Sequence, residues 1–131
     1  MQKLTRSTIN MLAALALIAT LFTALSIARA TGEEKFPTGK YAAGPFIVSF
    51  ESDGKMSVSR DGEIMVEGVY SLDKDQITFT DKRGPMACVD AGPGKFQWKF
   101  DGKALTFKLI EDPCGGRASA LTGQPLVKQD K

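Results

Sequence analysis

The chain predicts an all-β fold: a single small antiparallel β-barrel of about eight strands, wound up and down, with one short helical turn or loop near the C-terminus. Three observations carry that reading. Apolar and polar residues alternate with period two through most of residues 40–110. Asp-Gly dipeptides stand between the alternating runs at Asp53-Gly54, Asp61-Gly62 and Asp101-Gly102. This is a strong hairpin signal, because a type I′ turn needs positive φ at both central residues. A Gly-x-aromatic unit also recurs. Gly68-Val69-Tyr70 leads to Ile77-Thr78-Phe79, and Gly94-Lys95-Phe96 leads to Leu105-Thr106-Phe107. Gly39-Lys40-Tyr41 opens a looser copy.

Residues 1–30 read as an export signal. Lys3 and Arg6 make a basic start, Met11 to Leu25 carries no charge, and Ala28-Arg29-Ala30 presents small residues where a signal peptidase reads. The uncharged stretch from Ser7 to Ala28 is also long enough to span a bilayer if it is kept. The Ala-x-Ala site and the abrupt change to Thr31-Gly32-Glu33-Glu34 favour cleavage, hence a periplasmic or secreted protein with no membrane insertion afterwards. Three of the 17 basic residues lie in this segment, so the remainder carries 14 basic against 15 acidic residues, a net charge of −1. That charge offers no basic patch for a phosphate backbone, and nucleic acid is not an expected partner.

Residues 31–38 form an N-terminal linker, and 39–128 the barrel domain. Strands are expected at 40–43, 45–51 and 55–60, where Phe46, Val48 and Phe50 alternate with polar neighbours and Met56 and Val58 follow suit. In 63–72, Ile64, Val66, Tyr70 and Leu72 share one face; in 75–81, Ile77 and Phe79 do. The cleanest alternation is Phe96-Trp98-Phe100 against Lys95-Gln97-Lys99 in 95–100, followed by Leu105-Phe107-Leu109 in 103–110. Asp112 to Gly123 breaks the pattern with a stop signal and small residues, and 125–128 supplies the last strand. Three hairpin units in about 100 residues are too few for a propeller, which leaves a barrel. Eight strands make a barrel whose interior is filled by side chains or just holds one small ligand.

Cys88 and Cys114 are the only cysteines. In an exported chain they read as one disulfide, since a reactive pair would show C-x-x-C spacing. Closing a loop of about 25 residues is worth about 3–4 kcal/mol on the chain-entropy model.

The hairpin repeats, the strand count and the late Asp112-Pro113-Cys114-Gly115-Gly116-Arg117-Ala118 with Leu121-Thr122-Gly123 resemble small exported lipocalin-like (calycin) proteins of bacteria. Lipocalins open with Gly-x-Trp where this chain has Gly39-Lys40-Tyr41, and its one Trp is Trp98. The resemblance implies a barrel that binds a small, mostly apolar molecule in its mouth.

Function classes narrow accordingly. With no His, Ser-His-Asp and Cys-His nucleophiles and His-ligated zinc are excluded. No EF-hand spacing, phosphate loop, nucleophile elbow or dinucleotide fingerprint appears. The acidic residues are assigned to turns, exposed strand faces or the late motif, so no metal, cofactor or catalytic residue is expected. Candidate ligand contacts are Phe46, Phe50, Tyr70, Phe79, Trp98 and Phe107, which with Phe96 and Phe100 point inward and serve either as packing or as pocket walls. Arg117 is the remaining candidate: a cation for a ligand's carboxylate or phosphate, or a clamp pairing with Asp112 or stacking on Trp98. The expected function is an exported binding protein for a small apolar ligand. The alternative is a non-enzymatic structural or interaction module, an inhibitor or envelope-associated protein, with a packed interior.

Overall fold

The computed structural model describes residues 34–130; the expected export signal lies outside them. Eight antiparallel strands close into a barrel in sequence order. They are β1 (Gly39–Ala43), β2 (Phe46–Phe50), β3 (Lys55–Arg60), β4 (Glu63–Asp73), β5 (Gln76–Arg83), β6 (Gly94–Phe100), β7 (Ala104–Glu111) and β8 (Leu126–Lys128). A 3₁₀ turn (Val89–Ala91) precedes β6, and an α-helix, α1 (Gly115–Thr122), follows β7. The late segment is thus two full turns of helix rather than one. The seam is short: β8 pairs Val127 with Ala42 and Ala104, Lys128 with Tyr41, and Leu126 with Leu105.

The winding sorts the connections between two ends. One end carries turn 44–45, turn 61–62, loop 84–93 and α1. The other carries turns 51–54, 74–75 and 101–103 and the incoming residues 34–38.

Only one Asp-Gly turn takes positive φ at both residues. Asp61 is at 52° and Gly62 at 82°, whereas Gly54 and Gly102 stand alone in that region. Asp53 and Asp101 act through their carboxylates instead, accepting the Lys55 N–H at 3.0 Å and the Lys103 and Ala104 N–H groups at 2.8 Å. An Asp side chain that bonds its own backbone two residues on tightens a turn without entering the left-handed region.

A bulge corrects the expected face of β4. Val58 pairs with Val66 and Ser59 with Ile64, so Met65 has no partner on β3. The extra residue turns Ile64 outward beside Ser59, and Ile64 is exposed. Leu72, one residue from the 74–75 turn, is exposed where the barrel opens.

The interior is aromatic. Phe50, Phe79, Phe96 and Phe107 stand in a chain of ring contacts 5.7–6.3 Å apart, Phe50 touching Phe79 and Phe79 touching both others. Tyr41, Phe79 and Phe96 are fully buried. The repeat units share a purpose, since each Gly-x-aromatic places its ring (Tyr41, Tyr70, Phe96) in this core. Phe36 belongs to it too. It comes from the segment expected as a linker, is 4% exposed, and lies 5.2–5.5 Å from the rings of Phe50, Tyr70 and Trp98. The Tyr41 hydroxyl donates to Pro37 O, anchoring the same segment, and burial pushes that phenol up to about 12. One end of the barrel is stoppered by the chain's own aromatic ring.

Candidate functional site

At the α1 end the barrel wall is incomplete. β5 and β6 pair from Gln76 with Gln97 to Phe79 with Gly94, and no further. Beyond that point β5 runs on to Arg83 against β4 alone. The split is held by side chains. Arg117, in the first turn of α1, donates from Nε to Asp112 Oδ2 and from Nη2 to Asp112 Oδ1 and Gly92 O, all at 2.7 Å. Its Nη1 lies 3.3 Å from Asp81 Oδ1 on β5. The other Asp81 oxygen accepts the Cys88 N–H at 2.8 Å, and Cys88 is bonded to Cys114. One guanidinium and one disulfide therefore join β5, loop 84–93, the end of β7 and α1.

The local sequence explains why the helix starts there. Cys114 is the N-cap, with extended backbone and its sulfur accepting the Arg117 N–H at 3.3 Å. Asp112 Oδ1 accepts the Cys114 N–H at 2.8 Å. Gly94 is required by the same carboxylate: a Cβ at that position would sit 2.2–2.9 Å from three Asp112 carboxyl atoms. The Gly at the start of the third hairpin is thus a place for Asp112, besides being a place to start a strand.

The pair is buried. Arg117 keeps 8% of its side chain exposed, Asp81 4% and Asp112 none. Burial alone would raise the Asp112 carboxyl, but the Arg117 hydrogen bonds, the Cys114 N–H and the Arg117 charge outweigh it and hold the group below its ordinary 3.8. The Arg117 guanidinium is raised, chiefly by its bonds to Asp112. A depressed carboxyl contributes stability that is fully present above its unfolded value and lost as pH falls through the folded one. The urea midpoint should therefore hold steady from neutral pH to about 5 and fall below about 4. Asp112→Asn should flatten part of that acid limb; an identical fall in the variant would contradict the assignment.

Arg117 is thus the clamp on Asp112, strengthened by Asp81. Trp98 is at the opposite end of the barrel, where its indole N–H donates to Lys74 O at 3.3 Å. Asp81 corrects the assignment of all acids to turns and exposed faces, for it is 5% exposed and continues the inward series of Ile77 and Phe79.

Directly beside the clamp is a cavity of about 300 Å³. Its walls come from β1 to β5, β8, loop 84–93 and α1, with none from β6 or β7. The lining is mainly apolar: Phe46, Val48, Val58 and Val66 from the sheet, Leu121 from α1 and Leu126 from β8. Met56, Met65 and Met86 are also there, and they are all the methionines among the described residues. Phe79 forms the floor, and Arg117 and Asp81 are the charged residues in the lining. At the rim, the Arg60 guanidinium sits 5.7 Å from the Phe46 ring centre.

The seven candidate ligand contacts therefore separate. Phe46, Phe79 and Arg117 border the cavity. Phe50, Tyr70, Trp98 and Phe107 are buried in the aromatic core and do not border it. Tyr70 also donates its hydroxyl to Glu51 O, which fixes it within the stoppered end.

A larger hollow of about 920 Å³ lies at that other end. All its lining residues except Phe36 and Trp98 are solvent-exposed, and most are charged or polar, including Lys35, Lys74, Asp75, Lys99 and Lys108. It is an exposed groove walled mostly by charged and polar residues, whereas the smaller hollow, itself open to solvent on one side, is lined mainly by apolar side chains. Among the described residues no helix is long and apolar enough to cross a membrane. No family model, curated protein or solved structure matches the chain.

Proposed function

We propose that this protein is an exported, lipocalin-like binding protein for a small, mostly apolar molecule, held in the cavity at the α1 end and not subjected to chemistry. The cavity itself carries the proposal. A hollow of about 300 Å³ lined mainly by valine, leucine, phenylalanine and methionine stands at one mouth of the barrel, beside the buried aromatic cluster, and such a lining suits an apolar ligand. Methionine is unbranched and polarizable, and it repacks around differently shaped partners at little cost. Three of them around one cavity suit a site that accommodates a range of apolar shapes. Met86, more than half exposed in loop 84–93, is placed at the entrance. The disulfide agrees with an oxidising compartment outside the cytoplasm.

Naphthalene, an apolar probe that fits such a volume, tests this. Titration followed by its own fluorescence should show saturable binding at one site per chain. Val58→Phe, which places a ring in the cavity from a partly buried wall position, should weaken it at least tenfold while leaving the circular dichroism unchanged. No saturable binding, or equal binding to the filled variant, would favour the packed interaction module instead.

A further inference from the structure

Loop 84–93 presents one methionine to the solvent and to the hollow at once. Met86 is 54% exposed and lines the hollow, whereas Met65 is half-buried and Met56 is only 7% exposed. The backbone keeps Met86 at the rim. Its N–H donates at 3.0 Å to the carbonyl of Met65, the bulge residue without a partner on β3, and the Ala87 N–H donates to Gly84 O at 3.1 Å. Gly84 stands at a φ of 125°, and a Cβ there would sit 2.3–2.9 Å from backbone atoms of Met65 and Val66, so the loop is pressed against β4. Two residues after Met86, Cys88 is fixed by the Asp81 carboxylate and by the disulfide. A side chain on a backbone tied at residues 84, 86 and 88 has no route to withdraw from the entrance.

The chemistry of the lining singles out the same residue. Valine, leucine and phenylalanine offer a peroxide nothing to oxidise, and the one cysteine in the lining, Cys88, is already in a disulfide. A thioether is different. Its sulfur attacks one oxygen of a hydroperoxide, an S–O bond forms as the O–O bond breaks, and the sulfur gives up two electrons. With hydrogen peroxide, the transferred oxygen passes its proton to the departing hydroxide, which leaves as water. The reaction follows access, and among the three methionines Met86 has the most. The product is a polar, hydrogen-bonding sulfoxide at the mouth of an apolar hollow. It holds water that an entering apolar molecule has to displace without replacing its hydrogen bonds.

We propose that Met86 is a modification site for hydroperoxides, and that its sulfoxide lowers the affinity of the hollow for apolar molecules until a methionine sulfoxide reductase returns the thioether. The proposal rests on the binding function given above and supplies its regulation.

Limited treatment with hydrogen peroxide, followed by peptide mapping and naphthalene titration of the same sample, tests it. Oxygen should add to Met86 before Met65 and well before Met56, and naphthalene affinity should fall about fivefold or more. Treatment with reductases for both sulfoxide epimers should restore it. Met86→Leu, compared with itself before and after peroxide, should show no change. Met86→Gln, with a polar amide at the rim, should bind naphthalene about fivefold more weakly than the parent without any peroxide. Three results would overturn this inference and leave the binding function standing: oxygen on Met56 or Met65 ahead of Met86, unchanged affinity once Met86 is a sulfoxide, or the same loss in Met86→Leu. A circular dichroism spectrum altered by the treatment would overturn it too, since the loss would then be unfolding. Untreated protein that binds no naphthalene would overturn both readings together.

Discussion

Arg117→Met is expected to cost about 3–5 kcal/mol of stability, because it strands two buried carboxylates. The guanidinium is their shared countercharge, and Asp112 retains only the Cys114 N–H once it is gone. Urea unfolding in oxidising buffer measures this, as a lower midpoint with the slope retained. A triple variant that also makes Asp81→Asn and Asp112→Asn should recover part of the loss, since it removes the stranded charges and keeps an oxygen for the Cys88 and Cys114 N–H groups. A single variant within about 1 kcal/mol of the parent, the scale of an exposed ion pair, would contradict the clamp.

Phe79→Ala is the second large effect, at about 3–5 kcal/mol for a fully buried ring. Phe79 touches the rings of Phe50, Phe96 and Phe107 on one side and forms the cavity floor on the other. The void left by truncation therefore opens into the existing hollow. Calorimetry should show the variant losing stability and gaining back a larger part of it with saturating naphthalene than the parent does, because a ligand that binds only the folded form stabilises it by mass action. Equal gains in both proteins would mean that the cavity and the core are separate.

The strand order was legible because strands in a small barrel obey a local rule. A residue facing the core is followed by one facing out, and each hairpin is announced by its turn. The bulge at Met65 was not, since an extra residue is visible only against the partner strand. Phe36 escaped for a related reason. It is a lone aromatic in a segment with no alternation, and its place is set by an opening between Phe50, Tyr70 and Trp98, three strands far apart in sequence. Asp81 did carry a signal, falling in step with Ile77 and Phe79, but a carboxylate on an inward face makes sense only with its cation, Arg117, 36 positions later. The pairing of Arg117 with Asp112 was readable from their closeness in the late motif. The cavity could not be read at all. It reflects how volumes from six strands, a loop and a helix add up, and no local pattern records that sum.

The most direct measurement is a methyl spectrum of protein labelled at methionine, recorded during titration with naphthalene. The signals of Met56, Met65 and Met86 should move together and saturate, while the Trp98 indole N–H at the stoppered end stays in place. Methionine signals that do not respond, or a Trp98 shift that leads the titration, would contradict a binding site at the α1 end.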